Sequence, residues 1–280
     1  MGKASIAAHA SLLIDAAEVH SQLHSGTLLL IDTREREAYS KGHLPGAVNL
    51  PPSSMEWSAR LSAGVEVHHL LAPVEGIIPL LSFLGVNRDS RIVLYDEGAG
   101  YTAARIYWIL DYFNHPHLSI LNGGLAAWGS LSIPLSSEDA SRQRGDFVPD
   151  PTPDKIADFQ TVRSSQQDGA TVLLNTLPRA SFQREAIPGS VNIPYMATYQ
   201  SRKPHRLLES DQLEELFRKA AISQHQEVIP YCGIGYTASQ LYFVARLLGY
   251  PRVRLYDGSL IDWKARGGVL APGGAPASRW

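Results

Sequence analysis

Short apolar segments alternate with amphipathic segments along the whole of this chain. Six apolar runs have the length and composition of buried strands: Leu28–Ile31, Ile92–Tyr95, Ser119–Leu121, Val172–Leu174, Val228–Tyr231 and Val253–Tyr256. Helical spacing predicts helices over Ala103–Phe113 and Asp211–Ala221, with Ser210 as the N-cap of the second. Strands that alternate with helices predict an α/β fold, in which a parallel sheet has helices on both faces.

The two halves of the chain repeat the same motifs in the same order. Leu44-Pro-Gly-Ala-Val-Asn-Leu-Pro51 returns as Ile187-Pro-Gly-Ser-Val-Asn-Ile-Pro194, and the segment ending in Trp128 returns as the segment ending in Trp263. The period is too long for a solenoid, so the sequence predicts a duplicated domain. A segment rich in Pro and Ser separates the copies and is predicted to be an extended linker. The predicted boundaries are 1–130 for the first domain, 131–154 for the linker and 155–280 for the second domain.

The single cysteine, Cys232, lies at a predicted junction between a strand and a helix. The apolar run ends at Tyr231, Gly233 and Gly235 follow, and a helical pattern comes next. Backbone N–H groups and the positive end of the helix dipole would face the sulfur there and favour the thiolate, which is the nucleophilic form. A small buried structural cysteine is the alternative. The two glycines favour the nucleophile, because they let the backbone approach a bound atom closely.

Composition narrows the classes of function. The net charge of −2, with 44% hydrophobic and 19% charged residues, is typical of a globular protein and indicates neither a nucleic-acid nor a membrane partner. No apolar run is long enough to cross a bilayer, and the first ten residues lack the pattern of a secretory leader. One cysteine excludes an intramolecular disulfide and a cysteine-built metal site. We therefore expect a cytoplasmic protein with a reduced thiol.

The ordered set of motifs, present twice, resembles the rhodanese family of sulfurtransferases in its tandem two-domain form. The resemblance runs from about Ile14 to about Pro272 and rests on the Asp32-Thr-Arg and Gly42-His-Leu-Pro-Gly segments, the Cys232 loop and the two tryptophan segments. It implies two rhodanese-like domains, each with a parallel sheet between helices. It further implies a catalytically inert first domain, in which Asp96 stands in the place of the cysteine.

The resemblance also implies the chemistry. A small sulfur donor, 3-mercaptopyruvate or thiosulfate, would leave a persulfide on Cys232, and the outer sulfur would pass to cyanide or a thiol. The loop would bind the substrate through Gly233, Ile234, Gly235, Tyr236 and Thr237. No metal or organic cofactor is needed. Phosphatase activity is disfavoured, because Ala238 stands where a cysteine phosphatase has its phosphate-binding arginine.

The loop has no cation, and its glycines resemble those of the family members that prefer 3-mercaptopyruvate. Those members are proposed to use a loop serine with an Asp and a His of the first domain. Here Ile234 replaces the serine, so Asp32 and His43 are either remnants of a proton relay or structural residues. The expected substrate-binding arginine is absent at Leu177. Arg179 and Arg184 are the candidates to replace it. The alternative is that both are solvated surface residues.

Two functions from different classes fit the sequence. One is an enzyme that moves sulfane sulfur from a small donor to a thiophilic acceptor. The other is a sulfur carrier that a partner protein loads, with a reducing thiol protein as a candidate partner. Steady-state turnover with small donors separates them, because a carrier would turn over only with its partner. A structural scaffold is a weaker third interpretation, since the glycine loop around Cys232 is intact.

Overall fold

The computed structural model describes residues 12–23, 26–61, 64–98, 100–166 and 168–274; the first ten residues, where no leader is predicted, lie outside these ranges. The chain forms two compact units. The first unit comprises the chain up to Met55, Ala72–Pro151 and Gln200–Leu207. The second unit comprises Glu56–Leu71, Thr152–Tyr199 and the chain from Leu208 onward. A segment from the first half of the sequence therefore belongs to the second unit.

The regular elements are short and alternate along the chain. The strands are β1 (Leu13–Ile14), β2 (Leu28–Asp32), β3 (Val48–Asn49), β4 (Glu56–Arg60), β5 (Glu66–Leu71), β6 (Arg91–Tyr95), β7 (Leu118–Leu121), β8 (Ile156–Ala157), β9 (Thr171–Asn175), β10 (Val191–Asn192), β11 (Glu227–Tyr231) and β12 (Leu255–Tyr256). The α-helices are α1 (Ala16–Gln22), α2 (Arg36–Lys41), α3 (Val74–Phe83), α4 (Tyr101–Tyr112), α5 (Gly124–Gly129), α6 (Phe159–Ser165), α7 (Arg179–Arg184), α8 (Ser210–Lys219), α9 (Tyr236–Leu247) and α10 (Ser259–Ala265).

The two units have sheets of the same strand order. In the first unit five parallel strands follow the order β1-β7-β6-β2-β3. In the second unit the order is β10-β9-β11, and a parallel bridge between Val228 and Val253 connects this sheet to the pair β12-β8. The two orders are equivalent strand by strand. The predicted α/β fold with two parallel sheets is confirmed.

Each unit has its own apolar core at corresponding positions. Tyr95 at the end of β6 and Trp128 in α5 are buried in the first unit, as are Tyr231 and Trp263 in the second. The helices that follow the central strands, α4 and α9, are buried over most of their length. Within the described ranges, no helix combines the length and the apolarity that crossing a membrane requires.

Element boundaries agree with the sequence pattern except at short or capped ends. The run predicted as a strand from Val253 is in the ladder only at Leu255 and Tyr256, apart from the single bridge at Val253. The predicted N-cap Ser210 is wrong, because Glu209 caps α8 and Ser210 is the first helical residue. The Glu209 side chain accepts from the backbone N–H of Gln212, whose own side chain accepts from the Glu209 N–H, which forms a capping box.

The predicted linker has no helix or strand between the end of α5 and Pro153. Part of it packs along the first unit, where Ser82 Oγ donates to the Gly145 carbonyl and the Phe147 N–H donates to the Val86 carbonyl. Gly145 lies so close to Val86 that a Cβ added to the glycine would be 2.0 Å from the Val86 carbonyl oxygen. The packing therefore requires glycine at this position.

We expect Gly145→Ala to lower the free energy of unfolding by about 2–3 kcal/mol, because the backbone must move to relieve an overpacked contact. Gly76→Ala in α3 is the matched control, since no atom lies within 4 Å of the added Cβ. That variant should be neutral or up to about 1 kcal/mol more stable, as alanine is the better helix former. Urea denaturation of the three proteins measures both effects. Equal stability of Gly145→Ala and the wild type would contradict the packing argument.

Candidate active site

Cys232 lies directly after β11, in the loop that leads into α9, and its side chain is buried. β11 is paired with β9 along its whole length, so the end of the strand is fixed. Gly235 has a φ of 93°, a left-handed conformation that residues with a Cβ adopt only with strain. This glycine lets the loop turn sharply and start the helix at Tyr236. The loop therefore brings the sulfur to the N-terminus of a buried helix.

The sulfur is held by a backbone donor of its own loop. The Gly235 N–H donates to Cys232 Sγ over a distance of 3.1 Å. A backbone donor and the positive end of the α9 dipole both stabilise a negative charge on sulfur. An L-residue Cβ built on Gly233 would have no atom within 4 Å, so the loop has open space at the next residue. The arrangement therefore places a backbone donor on the sulfur and leaves open space at the neighbouring residue.

A second set of contacts holds the loop from the side of α10. The Cys232 N–H donates to Ser259 Oγ at 3.0 Å, and Ser259 Oγ donates to the Tyr256 carbonyl at 2.9 Å. The Leu260 and Ile261 N–H groups donate to the carbonyls of Cys232 and Gly233. Sequence reasoning missed Ser259. The signal was present in the repeat, because this serine stands in the tryptophan segment that both halves share.

Thr237 connects the loop to the neighbouring strand. Its hydroxyl is 3.0 Å from the hydroxyl of Thr176, the residue after β9. The first unit has the same contact between Thr33 and Thr102, also at 3.0 Å. Among the residues predicted to bind substrate, Gly233, Ile234, Gly235, Tyr236 and Thr237 all lie in this one loop and the first turn of α9. The structure therefore brings that part of the predicted site together.

The corresponding loop of the first unit holds a carboxyl group where the second holds sulfur. Asp96 Oδ1 accepts from the Gly98 and Gly100 N–H groups at 2.8 and 2.9 Å, and Oδ2 accepts from Thr102 Oγ1 at 3.1 Å. Burial raises the pKa of the Asp96 carboxyl, and these three hydrogen bonds act in the opposite direction. The loop thus directs two backbone donors and one hydroxyl at a single side chain.

Asp32 and His43 lie in the first unit and are each occupied by other groups. The buried Asp32 carboxylate forms an ion pair with Arg34, with Nη2 and Oδ2 2.6 Å apart. His43 is fully buried and stacks on Tyr39, while its Nδ1 and Nε2 are 2.9 and 3.1 Å from the carbonyl oxygens of Tyr39 and Glu138. These contacts support the structural interpretation of both residues, which stays a prediction.

Three arginines that could bind a substrate anion, Arg34, Arg179 and Arg184, differ in burial and in ion pairing. Arg34 is ion-paired with Asp32 and also with Glu97 at 3.0 Å. Arg179 and Arg184 are the first and last residues of α7, and both are exposed. Within the described ranges neither of these two forms a hydrogen bond with the Cys232 loop or an ion pair with a carboxylate. Their role in binding a donor stays a prediction.

A hairpin from the first half of the sequence contributes residues to the surroundings of the loop that sequence reasoning missed. β4 and β5 are antiparallel, and the Leu71 N–H donates to Asp257 Oδ2 at 2.8 Å. His69 packs edge-on against the Tyr236 ring, with centroids 6.1 Å apart. These contacts join residues more than 160 positions apart, so no local pattern could have revealed them. In the described part of the chain, no group of three or more His, Cys, Asp and Glu side chains is arranged to bind a metal ion.

Comparison with known sequences identifies the same two repeats. A family model for the rhodanese-like domain matches residues 15–131 and again residues 158–266. The 3-mercaptopyruvate sulfurtransferase of Escherichia coli (strain K12) is 28% identical over 246 residues, covering 84% of this chain and 85% of that protein. The thiosulfate sulfurtransferase of Pseudomonas aeruginosa is 26% identical over 267 residues, covering 90% and 93%. Relatives named for either donor are thus about equally similar to this chain.

Solved structures give the same result for the fold. The crystal structure of SseA from Escherichia coli, described with the 3-mercaptopyruvate sulfotransferases, matches with a TM-score of 0.79 at 26% identity, covering 89% of this chain and 98% of SseA. A complex of EanB with hercynine matches with a TM-score of 0.83 at 22% identity, covering 94% of this chain and 70% of EanB. At that lower identity the likeness to EanB shows the fold alone.

We expect His43→Ala to lower the free energy of unfolding by about 2–4 kcal/mol, because it leaves a cavity in place of a fully buried ring that stacks on Tyr39 and removes that ring's hydrogen bonding to backbone carbonyls. The rate of any sulfur transfer per folded molecule should be unchanged. Denaturation and active-site titration separate the two quantities, and His225→Ala at an exposed position is the control. A large loss of rate without destabilisation would instead indicate a relay.

Proposed function

Because the chain belongs to the rhodanese family, with one rhodanese-like domain in each half, we propose that it is a sulfurtransferase that carries sulfane sulfur on Cys232. The observation that carries the proposal is the 3.1 Å hydrogen bond from the Gly235 N–H to Cys232 Sγ at the start of α9. A buried sulfur at a helix N-terminus with a donor aimed at it is suited to the thiolate form. The Asp96 loop supports the same conclusion, since its equivalent donors bind a carboxyl group.

The reaction proceeds in two half-reactions. In the first, the Cys232 thiolate attacks the sulfur of the donor, a sulfur–sulfur bond forms, and the bond between that sulfur and the rest of the donor breaks. With thiosulfate the leaving group is sulfite, and with 3-mercaptopyruvate it is the enolate of pyruvate. In the second, a thiol or cyanide attacks the outer sulfur and the thiolate of Cys232 is regenerated. The N–H groups of the loop would stabilise the negative charge on the persulfide as they do that on the thiolate.

Charge in the loop favours 3-mercaptopyruvate over thiosulfate as the donor. The segment from Cys232 to Thr237 contains neither Arg nor Lys. Thiosulfate carries two negative charges, and each missing charge-assisted hydrogen bond is worth about 1.5–3 kcal/mol. Arg34 of the first unit is already engaged by two carboxylates. Arg179 or Arg184 is then the candidate to hold the single carboxylate of 3-mercaptopyruvate.

The chemistry of the persulfide indicates which class of molecule accepts the sulfur. Its outer sulfur reacts with soft nucleophiles, so a small thiol, cyanide or the thiol of a reducing protein fits. A lone thiol that must remain reduced between turnovers suits a cytoplasmic location. Under this proposal the Asp96 loop of the first unit does no sulfur chemistry, since a carboxylate cannot form a persulfide.

The first test is the identity of the carrier. After treatment with donor, the intact mass should rise by about 32 Da, the mass of one sulfur on one thiolate. Cys232→Ser should show no gain in mass and no turnover, whereas Asp96→Ala should still gain the sulfur. Full turnover by Cys232→Ser would overturn the proposal. Loading only in the presence of a partner protein would favour the sulfur-carrier interpretation over the enzyme.

The second test is donor choice. We expect kcat/KM for 3-mercaptopyruvate to exceed that for thiosulfate by at least about tenfold, which corresponds to the loss of one charge-assisted hydrogen bond. Replacing Gly233 with Arg and Ile234 with Lys should raise kcat/KM for thiosulfate, because both changes add the missing positive charge. A single change of Ile234 to Ala is the uncharged control. A wild type that already prefers thiosulfate would show that the charge argument is wrong.

A further inference from the structure

The β4–β5 hairpin packs in the same compact unit as the Cys232 loop and contacts it at two points. At the first point, Asp257 accepts the Leu71 N–H, and Asp257 is two residues before the Ser259 that holds the Cys232 backbone. At the second point, His69 packs on Tyr236, the residue that directly follows the Gly235 donor. One contact is made to the first residue of α9 and the other to the segment whose Ser259 supports Cys232. The end of the hairpin thus packs against the residues that frame the loop.

The His69 imidazole is paired with a nearly buried carboxylate. Its Nδ1 is 2.8 Å from Glu56 Oε2, and the Glu56 side chain is only 10% exposed. A carboxylate that accepts from Nδ1–H fixes the orientation and the tautomer of the ring. Glu56 and His69 therefore form an oriented carboxylate–imidazole pair.

The position of this pair on the hairpin is specific. β4 and β5 change register between Trp57 and Ala59, and His69 has a φ of 63°, which is unusual for a residue with a side chain. Left-handed backbone at a non-glycine residue costs free energy and persists only where the surroundings hold it. The regular pairing of the hairpin is thus interrupted at His69, the residue that contacts Tyr236. This irregularity places the His69 imidazole against the first turn of α9.

Transfer of sulfur from 3-mercaptopyruvate needs a proton that the loop does not supply. The attack by Cys232 breaks the carbon–sulfur bond and leaves the pair of electrons on the enolate of pyruvate. The hydroxyls of Ser259 and Thr237, which hold the loop, are weak acids. Thiosulfate makes no such demand, since it leaves as the stable anion sulfite. The two donors therefore differ in their need for a proton donor.

We propose that His69, oriented by Glu56, donates the proton that converts this enolate to pyruvate. The inference rests on the proposed function of Cys232. In the balanced step the Cys232 thiolate, 3-mercaptopyruvate and the His69 imidazolium give the Cys232 persulfide, still carrying the thiol hydrogen of the donor, together with pyruvate and neutral His69. The sulfur–sulfur bond forms as the carbon–sulfur bond breaks, and no oxidant or reductant is required. Glu56 is a positioning residue in this scheme.

The test is the rate of persulfide formation on Cys232 in a single turnover, followed by quenching and intact-mass measurement with each donor separately. His69→Gln should slow loading from 3-mercaptopyruvate by about 10²-fold or more, as expected when a positioned general acid is lost. Loading from thiosulfate should keep the wild-type rate. Glu56→Gln should slow loading from 3-mercaptopyruvate by a smaller factor, because the imidazole remains but is less well oriented.

Two controls separate proton transfer from a structural role. His68→Gln changes the neighbouring, more exposed histidine, which bonds to Ser58 Oγ, and should load at the wild-type rate with both donors. Added imidazole should restore part of the 3-mercaptopyruvate rate in His69→Ala. Equal losses with both donors, or no loss with 3-mercaptopyruvate, would overturn the assignment of His69 and leave Cys232 as the carrier. A wild type that gains no sulfur from either donor would overturn both proposals.

Discussion

The hydrogen bond from the Gly235 N–H to Cys232 Sγ is the contact to which the rest of the site is adapted. It requires a left-handed residue between a buried strand and a buried helix, and glycine provides that conformation without the cost of about 1–2 kcal/mol that a side chain adds. The strand is fixed by its pairing with β9, and the loop is fixed by the contacts from α10. At Gly233, the first residue after Cys232, an added Cβ would meet no atom within 4 Å. The fold therefore fixes the loop on the side of β9 and α10 and leaves space beside Gly233.

The two units show what this loop geometry does independently of sulfur. Asp96 and Cys232 follow equivalent central strands. The Gly98 and Gly100 N–H groups donate to the Asp96 carboxyl, and the Gly235 N–H donates to the Cys232 sulfur. At Gly124 a Cβ would be 2.5 Å from the Asp96 carbonyl oxygen, so the first unit needs glycine where the second has the strained Ser259. The two units thus share a loop whose backbone donors face the side chain at the end of the central strand. Only the second unit has a thiol at this position.

Much of this arrangement could be predicted from the sequence, because it depends on local patterns. The apolar runs that become β2, β6, β9 and β11 are buried and paired as their composition indicates, and the glycines beside Cys232 marked the loop. The repeat predicted two equivalent domains, and the family model matches both. The N-cap of α8 was missed because serine is a preferred capping residue, whereas Glu209 caps the helix through its reciprocal bonds with Gln212.

The rest of the site depends on contacts between distant segments, for which a single sequence carries no signal. Nothing local to Leu71 indicates that its N–H will meet Asp257, or that His69 will face Tyr236. The hairpin has the sequence of an exposed element, with charged and polar residues on both strands. Its partners are selected by the packing of the second unit. A histidine that is unremarkable in the sequence therefore packs on the ring of Tyr236, the first residue of α9.

The residues at and just after the ends of β2 and β9 differ in charge between the two units, and this difference bears on the choice of sulfur donor. In the first unit Asp32 accepts the Arg34 N–H and pairs with its guanidinium, whereas in the second Asn175 Oδ1 accepts the Leu177 N–H at 3.0 Å. The second unit keeps this backbone hydrogen bond but has neither the carboxylate nor the guanidinium of the first unit. Neither charge is therefore left buried without a partner. Asn175 stands next to Thr176, whose hydroxyl contacts Thr237 of the loop. Under the proposed function, this neutral turn lacks the cation that a doubly charged donor would need.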